Sequence, residues 1–374
     1  MAGQVIKRGE RTWLVRVSRG RDASGKRRYL NKTIHGTKKE AQNYLNKKLT
    51  EKSTGTLIAP TRLTLGEFLD KWLEVSARPR LRERTFEHYR ELLDRYVRKP
   101  LGGHSLTNIH VLDIQRLYAH MQSKGLSART VRYVHAVLSS ALKQAVKWGM
   151  LSMNPAALVD LPKQERREML AFSPDQAIIF QKEATNEKNG IIFNFALVTG
   201  MRPEEYLGLR WSDLDLERGN ATIRRTLVWL KGGGWKFGEP KTSRSRRTVS
   251  FPIQLSRALS NHRREQAEAR LKSGPDYQNN DLVFSATDGK PHNLRNLTQR
   301  HFQPILKRAG LPMLRLYDLR HTCATLLLAA GEHPKIVSER LGHASITLTL
   351  DTYSHVLPTM QQSATEKLEK MLYA

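Results

Sequence analysis

Cysteine is almost absent from this 374-residue chain, and Cys323 is the sole thiol. A single thiol excludes an internal disulfide framework and a zinc site built from clustered cysteines, and it fits a reducing cytoplasm. Acidic residues are also scarce, 35 Asp and Glu against 63 Lys and Arg. No apolar run approaches the roughly 20 residues that would span a bilayer. The longest candidates, Ile191–Val198 and Ala324–Ala330, have the length of buried helices. The opening residues MAGQVIKRGERTW lack the hydrophobic core of a signal peptide. The sequence offers no convincing basic amphipathic helix of the membrane-surface kind, no repeat of fixed period, no GxxxxGK[ST] loop and no obvious acidic metal cluster. No cofactor, no metal and no membrane partner are therefore expected.

What the chain has instead is positive charge. A net charge of +28 and a pI near 10.4 call for a polyanionic partner, nucleic acid first. The first 60 residues alone carry 15 Lys and Arg against four Asp and Glu.

The length suggests two or three domains. Residues 1–55 read as a small sheet plus one helix. TWLVRVS alternates, RDASGKRR turns at Gly25, and YLNKTI returns. Thr37 and Glu40 form a capping box for the helix that follows. A small sheet carrying Arg16, Arg19, Arg21, Lys26, Arg27 and Arg28 could lie in a DNA groove. After the linker-like STGTLIAPTR, residues 63–155 read as a compact all-α domain. It begins at a second capping box, Thr64 and Glu67, and continues with helices near 84–97, 111–122 and 128–148. Its basic side includes Arg129 and Arg132. Residues 170–374 read as mainly helical, starting from Ser173 as N-cap, and are interrupted by strand-like NATIRRTLVWL and SRRTVSFP.

The chemistry begins at YDLRHTCATLLLAAG, residues 317–331, where Arg320 and His321 open an apolar helix with Asp318 as a plausible N-cap and Gly331 as a stop. A cation in a first helical turn is poorly placed unless an anion sits there. Either Arg320 pairs with a neighbouring carboxylate such as Asp318, or it helps bind an external anion. Arg202, beside Glu205 in TGMRPEEYLGLRW, poses the same question. Two guanidinium forks would suit the non-bridging oxygens of a phosphodiester. Lys241, near the tip of an expected hairpin, could donate a proton to a leaving oxygen. His343 lies in ERLGHAS, and Tyr353 follows ten residues later in TLDTYSHV.

TGMRPEEYLGLRW, PKTSRSRRTV, YDLRHTCATLLLAAG and ERLGHASITLTLDTYSH together resemble the successive boxes of the tyrosine recombinases, the phage-integrase family. The likeness covers about 200 residues of a catalytic region. It extends to the helical domain, which resembles a SAM-like core-binding domain, and to the N-terminal module, which resembles a three-stranded arm-type DNA-binding domain. The resemblance implies that Tyr353 is the nucleophile that forms a 3′-phosphotyrosine, that Arg202 and Arg320 hold the phosphate, and that Lys241 is the general acid. It also implies that His343 hydrogen-bonds the phosphate and that Glu205 supports Arg202. Implied partners are double-stranded DNA at core and arm-type sites, three further protomers in a tetramer on DNA, and an excisionase or host DNA-bending protein. The implied location is the cytoplasm, at the bacterial nucleoid.

One position departs from the family. The histidine usual three residues before the second arginine, often the base toward the tyrosine, is Tyr317 here. A phenol with a pKa near 10 is a poor base at neutral pH, though it can still hydrogen-bond the phosphate. His321 is an available substitute, although it reads first as a supporting or packing residue. The expected activity is integration and excision of a mobile element by strand cleavage and rejoining. The alternatives are a type IB topoisomerase-like nicking–closing enzyme and a catalytically impaired DNA-binding regulator. The threonine-rich SITLTLDTY is a weak helix former, so the nucleophile is expected to ride on a segment with little intrinsic order. Ala364, Leu368, Met371 and Leu372 fall at helical spacing in a tail that could dock on a neighbouring protomer or on its own domain.

Overall fold

The computed structural model describes residues 3–21, 25–54, 62–164, 169–230, 233–240, 246–353, 365–366 and 368–373. The chain divides into two compact units, Met1–Arg166 and Arg167–Ala374. No helix among the described residues is long and apolar enough to cross a membrane.

The first unit holds two separate apolar clusters. The smaller belongs to strands β1 (Gly3–Gly9), β2 (Thr12–Arg21) and β3 (Arg27–His35), an antiparallel sheet in that order, with helix α1 (Lys38–Ser53). Alternation along β2 turns Val15 and Val17 toward Ala41 and Leu45 of α1. The opposite face aligns Gln4, Arg16 and Asn31 across the three strands. Thr37 and Glu40 cap α1 reciprocally, as their spacing implies.

The larger cluster joins α2 (Leu65–Trp72), α3 (Glu83–Leu92), the short α4 (Lys99–Leu101), α5 (Val111–Ser123) and α6 (Ala128–Lys147). Helices α2 and α3 each continue into a π-wound segment, Leu73–Ala77 and Leu93–Arg98. Thr64 with Glu67 caps α2, and Ser127 caps α6.

The second unit is mainly helical. It runs through α7 (Pro174–Thr185), α8 (Gly190–Thr199), α9 (Pro203–Tyr206), strands β4 (Leu214–Asp215), β5 (Asn220–Thr222), β6 (Thr226–Trp229), β7 (Trp235–Gly238) and β8 (Thr248–Ser250), and then α10 (Ile253–Ser273). It ends with α11 (Leu294–Leu297), α12 (Gln303–Arg308), α13 (Asp318–Ala329), α14 (Pro334–Leu341) and α15 (Ile346–Tyr353). Strands β4, β5 and β8 form one small antiparallel sheet, and β6 and β7 form a hairpin. The strand-like run 220–230 is thus split between two sheets. It breaks where Arg224 and Arg225 turn to the buried carboxylate of Asp213. Strands β6 and β7 pair as far as Trp229 opposite Trp235, and Lys241, expected near a hairpin tip, follows β7 in the sequence. Lys241 itself lies outside the described residues.

Residues 346–353 form a helix despite their weak propensity, which corrects the expectation of little intrinsic order. Tertiary packing overrides propensity here, because Tyr353 is buried with Ala324, Leu328, Val337 and Leu341. Leu368, Met371 and Leu372 of the tail are exposed, and Ala364 lies outside the described residues.

Candidate active site

Three arginines meet at the end of α14. A helix leaves its last carbonyls without intrahelical partners, and they carry the negative end of the helix dipole. Here Arg247 Nε donates to the carbonyl of Arg340 (2.6 Å), Arg320 donates to that of Leu341 (2.7 Å), and Arg202 donates to that of Gly342 (3.3 Å). Gly342 closes the helix in the left-handed conformation, φ 67°, where a side chain would be strained. Three consecutive acceptors therefore hold three cations from distant parts of the chain.

Arg320 lies in the first turn of α13 and is 1% exposed. It also donates to the carbonyl of Gly200 (2.9 Å), a left-handed residue that ends α8. Asp318 does not partner it. That carboxylate is the first helical residue rather than the N-cap, and it accepts from the backbone and guanidinium of Arg315. Among the described residues no carboxylate pairs with Arg320. Burial, then the neighbouring charge of Arg202, pulls its pKa down to about 10. It stays a cation at neutral pH, at a cost that an arriving anion would relieve.

Arg202 precedes α9 and donates to Glu205 Oε1 (2.7 Å). Glu205 is itself buried and also accepts from the Arg202 backbone and from both terminal nitrogens of Arg247. Burial raises its pKa, but Arg247 and Arg202 outweigh that and hold it below the usual carboxylate range. The sequence reading missed Arg247, which is hidden in SRSRR. The available signal was alternation: Arg247, Val249 and Phe251 fall on one side of β8, and the last two are core residues.

His343 follows Gly342, and its Nδ1 lies 2.7 Å from Thr349 Oγ1. Burial and then the surrounding arginines push its pKa down to about 3, so it is neutral. Tyr353, the last residue of α15, is 1% exposed. Its phenol oxygen lies 2.8 Å from His321 Nδ1, and burial raises its pKa above the ordinary tyrosine value. Tyr317 is partly exposed, with its ring edge-on to His321. Arg202, Glu205, Tyr317, Arg320, His321, His343 and Tyr353 thus belong to one constellation within the second unit.

The sequence-selected basic residues lie elsewhere. Arg16 stacks over Tyr29 and donates to Asn31 Oδ1 (3.2 Å) on the outer face of the sheet. Arg19 lies in β2, Lys26 precedes β3, and Arg27 and Arg28 open it. Arg129 is exposed in the first turn of α6. Arg132 donates to the carbonyl of Pro162 (2.8 Å), which ties down the chain after the helical bundle. Among the described residues no three His, Cys, Asp or Glu side chains gather as a metal site.

Comparison with known proteins gives the family of the chain. The Phage integrase family matches residues 160–360, and the phage integrase N-terminal SAM-like domain matches residues 64–122. A tyrosine recombinase XerC-like protein of Caldanaerobacter subterraneus subsp. tengcongensis is 31% identical, over 98% of each chain. The ICEBs1 integrase of Bacillus subtilis is 27% identical, over 71% of this chain and 72% of its own. Among solved structures, the Tn1549 transposon integrase in complex with transposon right end DNA superposes with a TM-score of 0.70 at 22% identity, covering 82% of this chain and 99% of that one. A lambda integrase dimer bound to a COC′ core site gives 0.58 at 16% identity, covering 93% and 94%. At these identities the two structures establish the shared fold.

Proposed function

This chain belongs to the phage integrase family of tyrosine site-specific DNA recombinases, and from that membership we propose how its site works. Arg202 and Arg320 grip one phosphodiester of double-stranded DNA. The Tyr353 oxygen attacks the phosphorus, a 3′-phosphotyrosine forms, and the 5′-oxygen leaves as a hydroxyl. The bond energy stays in the ester, so a second 5′-hydroxyl can reverse the step and join a new partner strand. His343, held by Thr349, hydrogen-bonds the phosphate. Lys241 supplies the proton to the leaving group. Glu205 and Arg247 hold Arg202 in place. Tyr317 lines the site and does not act as a base.

The observation that carries this reading is Arg320, a buried guanidinium with no carboxylate among the described residues, beside a second cation. Preorganised charge of this kind favours the transition state in which negative charge grows on the phosphate oxygens.

The flanking modules complete the assignment. Residues 1–55 bind arm-type DNA through the outer sheet face of Gln4, Arg16 and Asn31, supported by the in-register row and by the basic residues around it. Residues 63–155 embrace core DNA with Arg129 on the phosphate-facing side, and residues 170–374 carry out the chemistry. Four copies assemble on DNA, and an excisionase or a host DNA-bending protein sets direction. The chain works at the nucleoid. The test is a suicide duplex nicked beside the cleavage point. A covalent protein–DNA adduct that is lost in Tyr353→Phe supports the reading, and exchange between two duplexes separates recombination from simple nicking and closing. No adduct from the unaltered protein on its own element's junctions would refute it.

A further inference from the structure

The attacking phenol must lose a proton, and the position expected to take it holds Tyr317. Among the described residues, the Tyr353 oxygen hydrogen-bonds His321 Nδ1, at 2.8 Å. Resting on the recombinase reading, we propose that His321 is the general base, its Nδ1 taking the Tyr353 proton as the phenol oxygen attacks phosphorus.

The geometry restricts the imidazole to this task. His321 follows Arg320 directly in α13, so phosphate clamp and base share one turn of one helix. Its ring packs against two tyrosines. Tyr317 stands edge-on at a centroid distance of 5.4 Å, and Tyr353 is tilted at 5.8 Å. The second presents the proton. Tyr317 therefore fills the usual histidine position as a flank for the base.

The protonation states agree. Burial pushes the His321 pKa down to about 4, so the ring is neutral near pH 7, and with its hydrogen on Nε2 the Nδ1 lone pair faces the phenol. The charged and titratable groups acting on it are Asp318, which favours the imidazolium, Arg320 and Arg315, which oppose it, and Tyr317, Tyr353 and His343 around it. Burial also keeps the phenol protonated, so no standing phenolate exists and removal must accompany attack.

The step balances. The Tyr353 O–H bond breaks and its proton goes to Nδ1. The phenol O–P bond forms as the P–O5′ bond breaks, and the 5′-oxygen takes its proton from the general acid on the leaving side. On rejoining, His321 returns its proton to the departing phenol.

The test uses the full-length chain and nicked duplexes from the chromosomal junctions on either side of its gene, with the rate of adduct formation as readout. Adduct from the unaltered protein and none from Tyr353→Phe establishes the recombinase reading independently of the base. His321→Asn, which keeps a polar acceptor near Nδ1 but little basicity, is expected to slow the adduct by roughly 10²–10⁴-fold. Installing 3,5-difluorotyrosine at position 353, a more acidic phenol, should then restore most of that loss while giving little gain beside an intact His321. Unchanged speed in the Asn variant overturns the proposal. So does failure of the acidic phenol to rescue a variant whose thermal melt matches the unaltered protein. If His321→Asn does not fold, His321→Gln with the same rescue decides the matter.

Discussion

Arg247 and Glu205 are joined by two hydrogen bonds, 2.9 and 3.2 Å, with side chains 8% and 2% exposed. Glu205 thereby ties two of the three arginines at the end of α14 to each other. Buried pairs of this kind add little over a well-packed apolar pair, but they are costly to break from one side.

Arg247→Ala should therefore destabilise the second unit by about 2 kcal/mol, since it leaves the buried Glu205 with Arg202 as its remaining cation and frees the carbonyl of Arg340. Arg247→Lys should recover only part of this, because an ammonium cannot make the fork to both carboxylate oxygens. Urea denaturation of both variants checks it. A loss under about 0.5 kcal/mol for the alanine variant would mean that the pair does not hold the site together.

The same carboxylate gives a pH prediction. The Glu205 pKa in the folded chain lies below its unfolded value of about 4.3. Its stabilisation is therefore complete above that value and is lost as the pH falls through the lower folded one. Glu205→Gln should be less stable than the unaltered protein at neutral pH, and its stability should fall less steeply below about pH 4. Denaturation midpoints across that range should converge. Parallel curves would contradict the ion-pair account.

At Gly200 the backbone alone is at stake. Its φ of 64° disfavours any side chain, and an added Cβ would stand 2.9 Å from Leu341 Cδ2 and 3.1 Å from Cys323 Sγ. Gly200→Ala should cost about 1–2 kcal/mol from backbone strain alone, and it should move the carbonyl that receives Arg320. DNA cleavage should then fall more than folding does. A variant that cleaves normally would show that Arg320 needs no such anchor.

Arg129 carries a prediction of opposite signs. An exposed cation in the first turn of α6 opposes the helix dipole. Arg129→Ala should stabilise the helical bundle by about 0.3 kcal/mol. It should also weaken DNA binding and reduce the slope of log affinity against log salt by roughly one unit. An unchanged slope would place this side chain away from phosphate.

Much of this molecule was legible in its sequence because the signals are local. Capping boxes at Thr37 and Thr64 and the Ser173 N-cap lie within four residues of what they bind, and all three close as their spacing implies. Three of the four boxes likewise carried Arg202, Arg320, His343 and Tyr353, which the fold brings into one unit. What stayed hidden depends on distant partners. Arg247 is one of three arginines in four residues, and only the fold decides that it is buried. Asp318 turned to Arg315 rather than Arg320 because three residues back along the chain was within reach, and neither pattern nor charge separates the two. Residues 346–353 were misjudged because propensity weighs eight residues alone, whereas a buried Tyr353 anchors them to α13 and α14.

The successive carbonyls at 341 and 342 act as a ruler. The separation of adjacent peptide oxygens is set by the φ and ψ of the residue between them, here the left-handed Gly342, so the two guanidinium groups resting on them are spaced by the protein's own backbone. Nucleic acid entering such a grip is measured against a gauge that was finished before it arrived.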